Sequence, residues 1–235
     1  MGSLNGLSGL SGIDGLTGEG VALWWDPLNE GLPVVGAYRA SATVGSPWPL
    51  APANYADTLQ DWSGTSPNLI EGNGAVPWAA ATGWGFVAAN LQYFWTGLVP
   101  PQLSTWSMLC QYNNATNVSY LCGQVAITGF DTWFTLETRV SYGNGGRVSV
   151  PPLLVNGNLA VAGNQGYRNG APHGAPTGAW NPIAPNGQIA IGGRHTVNLG
   201  IIQLHCTANI YAVAIYNGTL TAPQVLAVAT AMSQL

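Results

Sequence analysis

The sequence contains no lysine, and charged residues of all kinds make up only 6% of its 235 residues. Its five cations are arginines that lie far apart along the chain, and the formal net charge is -4. Proteins that bind phosphate backbones need clustered cations, so this composition argues against a nucleic-acid partner. So little surface charge gives weak protection against self-association, which suits a protein packed in an assembly. A monomer with a neutral polar surface is the alternative.

Long apolar runs and targeting signals are also missing. No stretch of about 18 apolar residues occurs, and the N-terminus lacks a basic region followed by an apolar run. We therefore expect no membrane span and no secretory signal, with the mature chain beginning near residue 1.

Cysteine is scarce, and its three copies have no C-x-x-C spacing. An odd number without that spacing argues against a zinc site or a disulfide framework, so buried free thiols are expected at Cys110, Cys122 and Cys206. Because Cys110 and Cys122 flank the turn-forming residues 113–117, a bridge between them across a hairpin stays open.

The first twenty residues carry the most specific local pattern, five consecutive triplets that each end in glycine. A backbone with three residues per turn would place the glycines on one edge and the aliphatic residues on a second. A single strand cannot bury these edges, so we predict an oligomerisation or particle-attachment stem over residues 1–20, with threefold association as the natural arrangement. A flexible linker is the alternative. The predicted contact residues are Leu4, Gly6, Leu7, Gly9, Leu10, Gly12, Ile13, Gly15, Leu16 and Gly18.

Short β-rich runs separated by turn signals fill residues 21–235, which we predict to be one domain. Strands are expected at residues 133–140, 188–191, 200–204 and 210–216. Helical periodicity occurs only near the C-terminus, where Thr221 can cap a helix, Pro223 is tolerated in its first turn, and apolar residues continue to Met232. Many strands with one short helix predict an all-β sandwich or jelly roll.

Five short motifs carry a family resemblance. Residues 189–194 (IAIGGR), 215–217 (IYN) and 220–221 (LT) resemble the end of concanavalin A-like, laminin-G-type domains, and residues 61–64 (DWSG) and 155–157 (VNG) are similar to earlier motifs of that superfamily. The resemblance covers residues 22 to 235 and implies a concanavalin A-like jelly-roll β-sandwich. Its members include lectins, glycosidases, adhesion modules and virion components, so the resemblance alone does not select a function.

Catalytic residues are not predicted. Hydrolases of the superfamily place acidic residues at alternating positions of one strand, and no two of the nine acidic residues here have that spacing on a predicted strand. Asp131 and Glu137 come nearest, but six extended residues separate their backbones by about 20 Å. The histidines His173, His195 and His205 are isolated in sequence, and structural roles are expected for them.

No cofactor or metal site is predicted, with calcium as the alternative. Asp61, Asn68 and Asn73 could supply some of the oxygen ligands, although no D-x-D-x-D type loop appears. Sugar binding would use an exposed aromatic residue beside polar groups, although aromatic residues in β-sandwiches usually fill cores or subunit contacts. Of eight tryptophans near turns, the ligand-binding candidates are Trp62, Trp84 and Trp180.

These observations predict a non-catalytic structural and interaction protein, an oligomeric capsid decoration or fibre component on a phage virion surface. Its expected partners are further copies of itself, arranged as a trimer, and other virion proteins such as the major capsid protein. A carbohydrate-binding module that recognises cell-surface glycans is the alternative, and the two functions are compatible.

Overall fold

The computed structural model describes residues 22–42, 46–48, 51–100, 105–115, 120–126, 130–136, 140–142, 148–150, 155–163, 165–173, 187–196, 200–203 and 205–235. The predicted stem lies outside these residues, so both its contacts and the domain boundary after residue 20 stay predictions. No helix in the described ranges is long and apolar enough to cross a membrane.

The elements are, in chain order, β1 (Val34–Arg39), α1 (Tyr55–Thr58), β2 (Ile70–Gly72), β3 (Trp78–Ala79), β4 (Gly83–Gly85), a 3₁₀ turn (Ala88–Asn90), β5 (Tyr93–Trp95), β6 (Ser107–Asn113), β7 (Tyr120–Ala126), β8 (Phe130–Leu136), β9 (Val140–Tyr142), β10 (Val148–Val150), β11 (Gly157–Ala162), β12 (Gln165–Arg168), β13 (Ala171–Pro172), β14 (Ala190–Ile191), β15 (Arg194–Thr196), β16 (Ile201–Gln203), β17 (Asn209–Tyr216) and α2 (Ala222–Met232).

Two sheets form the domain, which confirms the predicted all-β sandwich with a short C-terminal helix. In the described residues, the first sheet has eight strands in the order β13-β12-β11-β6-β17-β4-β3, and β1 also pairs with β17. The second has nine, in the order β10-β9-β8-β7-β14-β5-β2, with β15 and β16 joined beside β7. Every described strand pair is antiparallel except β15 with β7.

Alternation along the strands fills the space between the sheets. On β17, Ile210, Val213 and Ile215 point into the inter-sheet core, which also contains Trp84 and Phe94. Successive side chains of a strand point to opposite faces. Ala212, Ala214 and Tyr216 of β17 are also fully buried, so the outer face of the sheet must be covered as well. Helix α2 meets this requirement.

The outer face of the first sheet forms a second core under α2. Ala212, Ala214 and Tyr216 of β17 pack there against Val225 and Val228 of the helix. The predicted start of the helix is confirmed, because Thr221 and Gln224 form a reciprocal capping box and a proline occupies the first turn.

Two neighbouring tryptophans join the chain that precedes β1 to this second core. Trp24 and Trp25 are buried in it, with their ring centroids 5.3 Å apart in an edge-to-face arrangement. The Tyr216 hydroxyl donates a hydrogen bond of 2.8 Å to the carbonyl oxygen of Trp25. These contacts fix the segment that precedes β1 to the end of β17.

A buried aspartate organises the loop that follows α1. The Asp61 carboxylate accepts hydrogen bonds from the backbone N–H groups of Ala37, Ser63, Thr65 and Ser66 and from the Ser63 hydroxyl. The bond to Ala37 is 2.8 Å long and connects the loop to β1. The family-like DWSG motif is therefore a structural turn.

The cysteines lie on strands that do not pair with each other. Cys110 is on β6 of the first sheet and Cys122 is on β7 of the second, so a bridge across a hairpin is excluded by the topology. Both are fully buried free thiols in the inter-sheet core, as is Cys206. Burial, followed by a hydrogen bond with Cys122, raises the pKa of Cys110.

Some element boundaries differ from the prediction. The strand expected at residues 133–140 is divided, because β8 ends at Leu136 and Val140 opens β9 as its direct partner. The one-turn helix α1 was not predicted, although Asn54 caps it by accepting from the Asp57 N–H three residues later.

Replacing Asp61 by asparagine is expected to lower the free energy of unfolding by about 3 kcal/mol, because an amide group cannot accept from all these buried donors. Urea denaturation measures the change. Asp57→Asn, at a half-buried position, serves as the matched control, with an expected loss below about 1 kcal/mol. Equal losses in the two variants would contradict the structural role of Asp61.

The number of free thiols can be measured with Ellman's reagent. The native protein should react slowly, because all three cysteines are buried, and the denatured protein should release three equivalents. One equivalent after denaturation without reductant would instead indicate a disulfide.

Candidate functional site

The outer face of the second sheet carries a row of partly exposed aromatic side chains. Strand β5 places Phe94 in the inter-sheet core and directs its neighbours Tyr93 and Trp95 to the other face. Both of these rings are partly exposed. One strand thus contributes a core residue and two surface aromatic residues because its side chains alternate.

Two histidines extend this row, of which His205 is partly exposed and His195 is buried. The ring centroid of Trp95 lies 5.0 Å from that of Tyr93 and 4.6 Å from that of His195, and both contacts are edge-to-face at 78°. His205 lies 6.3 Å from Tyr93 with its ring tilted by 40°. We call Tyr93, Trp95, His195 and His205 the aromatic strip. A ligand that crosses it meets ring faces and ring edges in turn.

Small residues pair with both aromatic residues of the strip on β5, so the rings project above their neighbours. Trp95 pairs with Ala190 on one side and with the exposed Ile70 on the other. Gly72 pairs with Tyr93, and a Cβ atom added at Gly72 would lie 2.0 Å from the Tyr93 ring. The Tyr93 ring therefore lies directly over Gly72, where a residue with a Cβ atom would collide with the ring.

The strip presents polar groups along with its rings. The distance from His195 Nδ1 to the carbonyl oxygen of Gln188 is 3.0 Å. A carbonyl oxygen can only accept, so Nδ1 carries a proton, and in the neutral form of the ring Nε2 is an acceptor. Within the described part of the chain, the Tyr93 hydroxyl and Trp95 Nε1 have no hydrogen-bond partner. The strip therefore offers both donors and acceptors.

His205 stays neutral near physiological pH. Burial lowers its pKa, and this effect exceeds the opposing effect of hydrogen bonds with the backbone of Gln92 and Ile202. Burial, with the charge of Arg168, also lowers the pKa of His173. His205 consequently adds no formal charge to the strip near physiological pH.

The carboxylates whose side chains are described serve structural hydrogen bonds. Asp26 accepts from the backbone of Glu30 and Gly31, and Asp57 accepts from Ala53. Glu30 accepts from the Gln224 amide, and Glu71 accepts from the Tyr55 hydroxyl. The side chains of Asp131 and Glu137 lie outside the description, so their separation stays a prediction.

The residues considered for calcium are engaged in loop contacts. Asn68 Oδ1 accepts from the Asp61 N–H at 3.1 Å, and Asn73 Nδ2 donates to the Asn90 carbonyl oxygen at 2.7 Å. With the Asp61 oxygens also occupied, these residues do not form a set of converging calcium ligands. The described residues contain no group of three metal-ligating side chains.

The predicted sugar-stacking tryptophans are corrected by the structure. Trp62 is 5% exposed in the second core and Trp84 is fully buried in the inter-sheet core, so neither ring faces a ligand. Trp180 lies outside the described residues. Trp95 is instead a partly exposed tryptophan, and the signal that could have identified it is the turn-flanked triplet of three aromatic residues at 93–95.

Comparisons with known proteins support the sandwich fold. No protein-family model and no curated protein matches the chain. The chain is similar to the Trypanosoma rangeli sialidase in complex with sialic acid, with a TM-score of 0.52 and 16% identity over 86% of this chain and 33% of that chain. A mutant of that sialidase displaying trans-sialidase activity gives 0.50 and 16% over the same shares.

A smaller protein unit is also similar. Domain 4 of an extracellular GH43 arabinanase from Geobacillus stearothermophilus, in complex with arabinotriose, has a TM-score of 0.49 and 14% identity over 84% of this chain and 98% of that chain. The chain spans about a third of the length of the sialidases. At these identities the likeness shows the fold alone.

The lowered histidine pKa values predict a stability that depends on pH. An unfolded histidine titrates near 6.5, so below about pH 6.5 the unfolded chain binds more protons than the folded chain. The free energy of unfolding should therefore fall as the pH drops from 7 towards the lowered pKa values. His173→Gln and His205→Gln should each reduce this slope in thermal denaturation. NMR titration midpoints at or above 6.5 for both rings would contradict the expectation.

Proposed function

We propose that the sandwich is a non-catalytic, concanavalin A-like carbohydrate-binding domain whose ligand lies across the aromatic strip. The observation that carries this proposal is the combination of partly exposed rings with unpaired polar atoms at Tyr93 and Trp95. Sugar rings offer C–H faces for stacking and hydroxyl groups for hydrogen bonds. The strip matches both requirements over consecutive rings.

The hydrogen-bonding capacity of the strip suits hydroxyl groups. Trp95 Nε1 donates, the Tyr93 hydroxyl can donate or accept, and Nε2 of His195 accepts. A hydroxyl group can satisfy each of them because it both donates and accepts. The strip contains no carboxylate, lysine or arginine, and His205 is neutral near physiological pH, which favours a neutral glycan as the ligand.

The proposed absence of catalysis is supported by the acidic residues. Glycoside hydrolysis commonly uses two facing carboxyl groups. Of the described carboxylates, Glu71 lies on β2 beside β5, but its oxygen is bound to Tyr55. The other described carboxylates bind backbone or side-chain donors of loops and helix ends, which favours ligand binding without turnover.

A glycan array read with strip variants tests this function. Trp95→Ala should weaken glycan binding about 30-fold, since loss of a stacked ring removes about 2 kcal/mol. Gly72→Ala should weaken it to a smaller extent by displacing the Tyr93 ring. Binding in each case is measured by titration of the captured glycan.

The matched control is Trp48→Ala, because Trp48 is also partly exposed but packs against the second core on the opposite side of the sandwich. It should retain binding. Silence across the array, or loss of binding in Trp48→Ala alone, would overturn the aromatic strip as the site.

The glycine triplets favour a second role for the full chain. We infer an oligomeric virion component, in which residues 1–20 attach several copies to a symmetric site of a particle and the sandwich acts as a glycan-binding head. Further copies of the chain and the major capsid protein would be its partners at the virion surface. The aliphatic row of the stem supports this role, since a solitary strand leaves it exposed.

Light scattering tests the oligomer. The full chain should have about three times the monomer mass, because threefold packing would bury the aliphatic row. A triple variant with Leu7→Ser, Leu10→Ser and Ile13→Ser should be monomeric with an unchanged melting temperature. A monomeric wild-type chain would remove the support for the stem, whereas the glycan proposal would stand.

A further inference from the structure

A cleft lies on the side of the sandwich opposite the aromatic strip, where the C-terminal end of α2 crosses the first sheet. Its volume is about 160 Å³, enough for a ligand of several heavy atoms. The lining comes from β6, β11, the β12–β13 turn and the helix, and consists of Gln111, Gly157, Asn158, Asn169, Ala229, Thr230 and Ser233. None of these residues belongs to the aromatic strip.

Two amide side chains form the floor of the cleft on the sheet. Gln111 and Asn158 are direct cross-strand partners on β6 and β11, so they share one face. Asn158 is only 2% exposed. In the described structure, both Gln111 Oε1 and Asn158 Oδ1 are buried and accept no hydrogen bond.

Unpaired buried acceptors are unusual in folded proteins. Most buried polar atoms have a protein or water partner, and an unsatisfied one reduces stability. The orientation of Asn158 is explained by its Nδ2 atom, which lies 3.3 Å from Met232 Sδ and donates towards that sulfur. Its carbonyl oxygen is consequently left for a different partner.

The helix side of the cleft also presents acceptors. The Thr230 hydroxyl donates to the Leu226 carbonyl oxygen at 2.8 Å, and the Ser233 hydroxyl donates to the Thr230 carbonyl oxygen at 2.7 Å. Both hydroxyl hydrogens are thereby used, and only the oxygen lone pairs remain. The two helix hydroxyl oxygens therefore resemble Gln111 Oε1 and Asn158 Oδ1 in needing a donor.

The charges around the cleft determine whether a cationic or a neutral ligand can supply the missing donors. No carboxylate lines the cleft, so an ammonium ion would have no counter-charge there. Arg39 lies in one cross-strand row with Gln111, because Ala212 of β17 pairs with both of them. Burial lowers the pKa of Arg39 to about 10, so this fully buried guanidinium remains protonated at neutral pH and disfavours a second cation.

We infer that this cleft binds a small neutral polyol, whose hydroxyl groups donate to Gln111, Asn158 and the helix hydroxyl oxygens. A hydroxyl group supplies the donor that each acceptor lacks and brings no charge. Because it uses residues distant in the fold from the aromatic strip, this site does not depend on the proposed glycan-binding function.

NMR titration of the full chain tests the inference. Glycerol and erythritol are the polyol probes, and ethylammonium chloride is the cationic comparison. The polyols should shift the side-chain amide resonances of Gln111 and Asn158 saturably, and ethylammonium should not. Shifts that stay linear in polyol concentration, or equal binding of ethylammonium, would overturn the inference.

Variants locate the binding. Gln111→Met keeps the length of a partly buried side chain but removes its acceptor, and Thr230→Val removes an exposed hydroxyl with little change in shape. Each should weaken polyol binding about tenfold. Circular dichroism melting checks that both variants fold, and the Asn158 amide reports binding in either one.

The strip variant Trp95→Ala distinguishes the two sites. It should bind glycerol and erythritol as the wild-type chain does, even if it has lost glycan binding. Polyol binding that disappears in Trp95→Ala but persists in Gln111→Met would place the polyols on the strip and overturn the cleft.

Discussion

Burial of the first sheet on both faces is the constraint that organises this protein. Strands β6 and β17 contribute one set of side chains to the core between the sheets and the alternate set to the core under α2. Two-sided burial explains why β17 is almost entirely apolar, as buried strands generally are. The helix, Trp24 and Trp25 therefore occupy the broad surface of this sheet. The outer face of the second sheet is left to carry partly exposed aromatic residues.

The chemistry of the two faces follows from this asymmetry. On the second sheet, Tyr93 and Trp95 keep polar atoms unpaired beside their rings, a combination that suits the hydroxyl and C–H groups of sugars. On the first sheet, the cover leaves a cleft at the end of α2, where Gln111 and Asn158 lie between strand and helix. Carboxylates are used elsewhere, chiefly to fix loops, as Asp61 does for the segment beside β1. Recognition of neutral molecules is consistent with a chain so poor in charge.

Sequence reasoning succeeded where the signal was local. Thr221, Pro223 and Gln224 specify the start of α2 through capping chemistry, and the run to Tyr216 specifies β17 through its β-rich composition. It failed for the tryptophans, because a large apolar ring fits a core as well as a surface, and only packing decided that Trp62 and Trp84 are inside. Three consecutive aromatic residues concealed the alternation of β5, since Phe94 faces the core while Tyr93 and Trp95 face outward. The pairing of Gln111 with Asn158 depends on a register between strands distant in sequence, which no local pattern reveals.

The attachment of Trp25 to Tyr216 has a mechanical consequence. Tension applied through the preceding segment would reach the fold at β17, which pairs with β1, β4 and β6, instead of at a free sheet edge. Extraction of the chain would have to pull two indole rings out of a packed core before any strand could unzip. Force applied to that segment would therefore be borne together by the packed indole rings and by the strands paired with β17, which would oppose shear at this end of the chain.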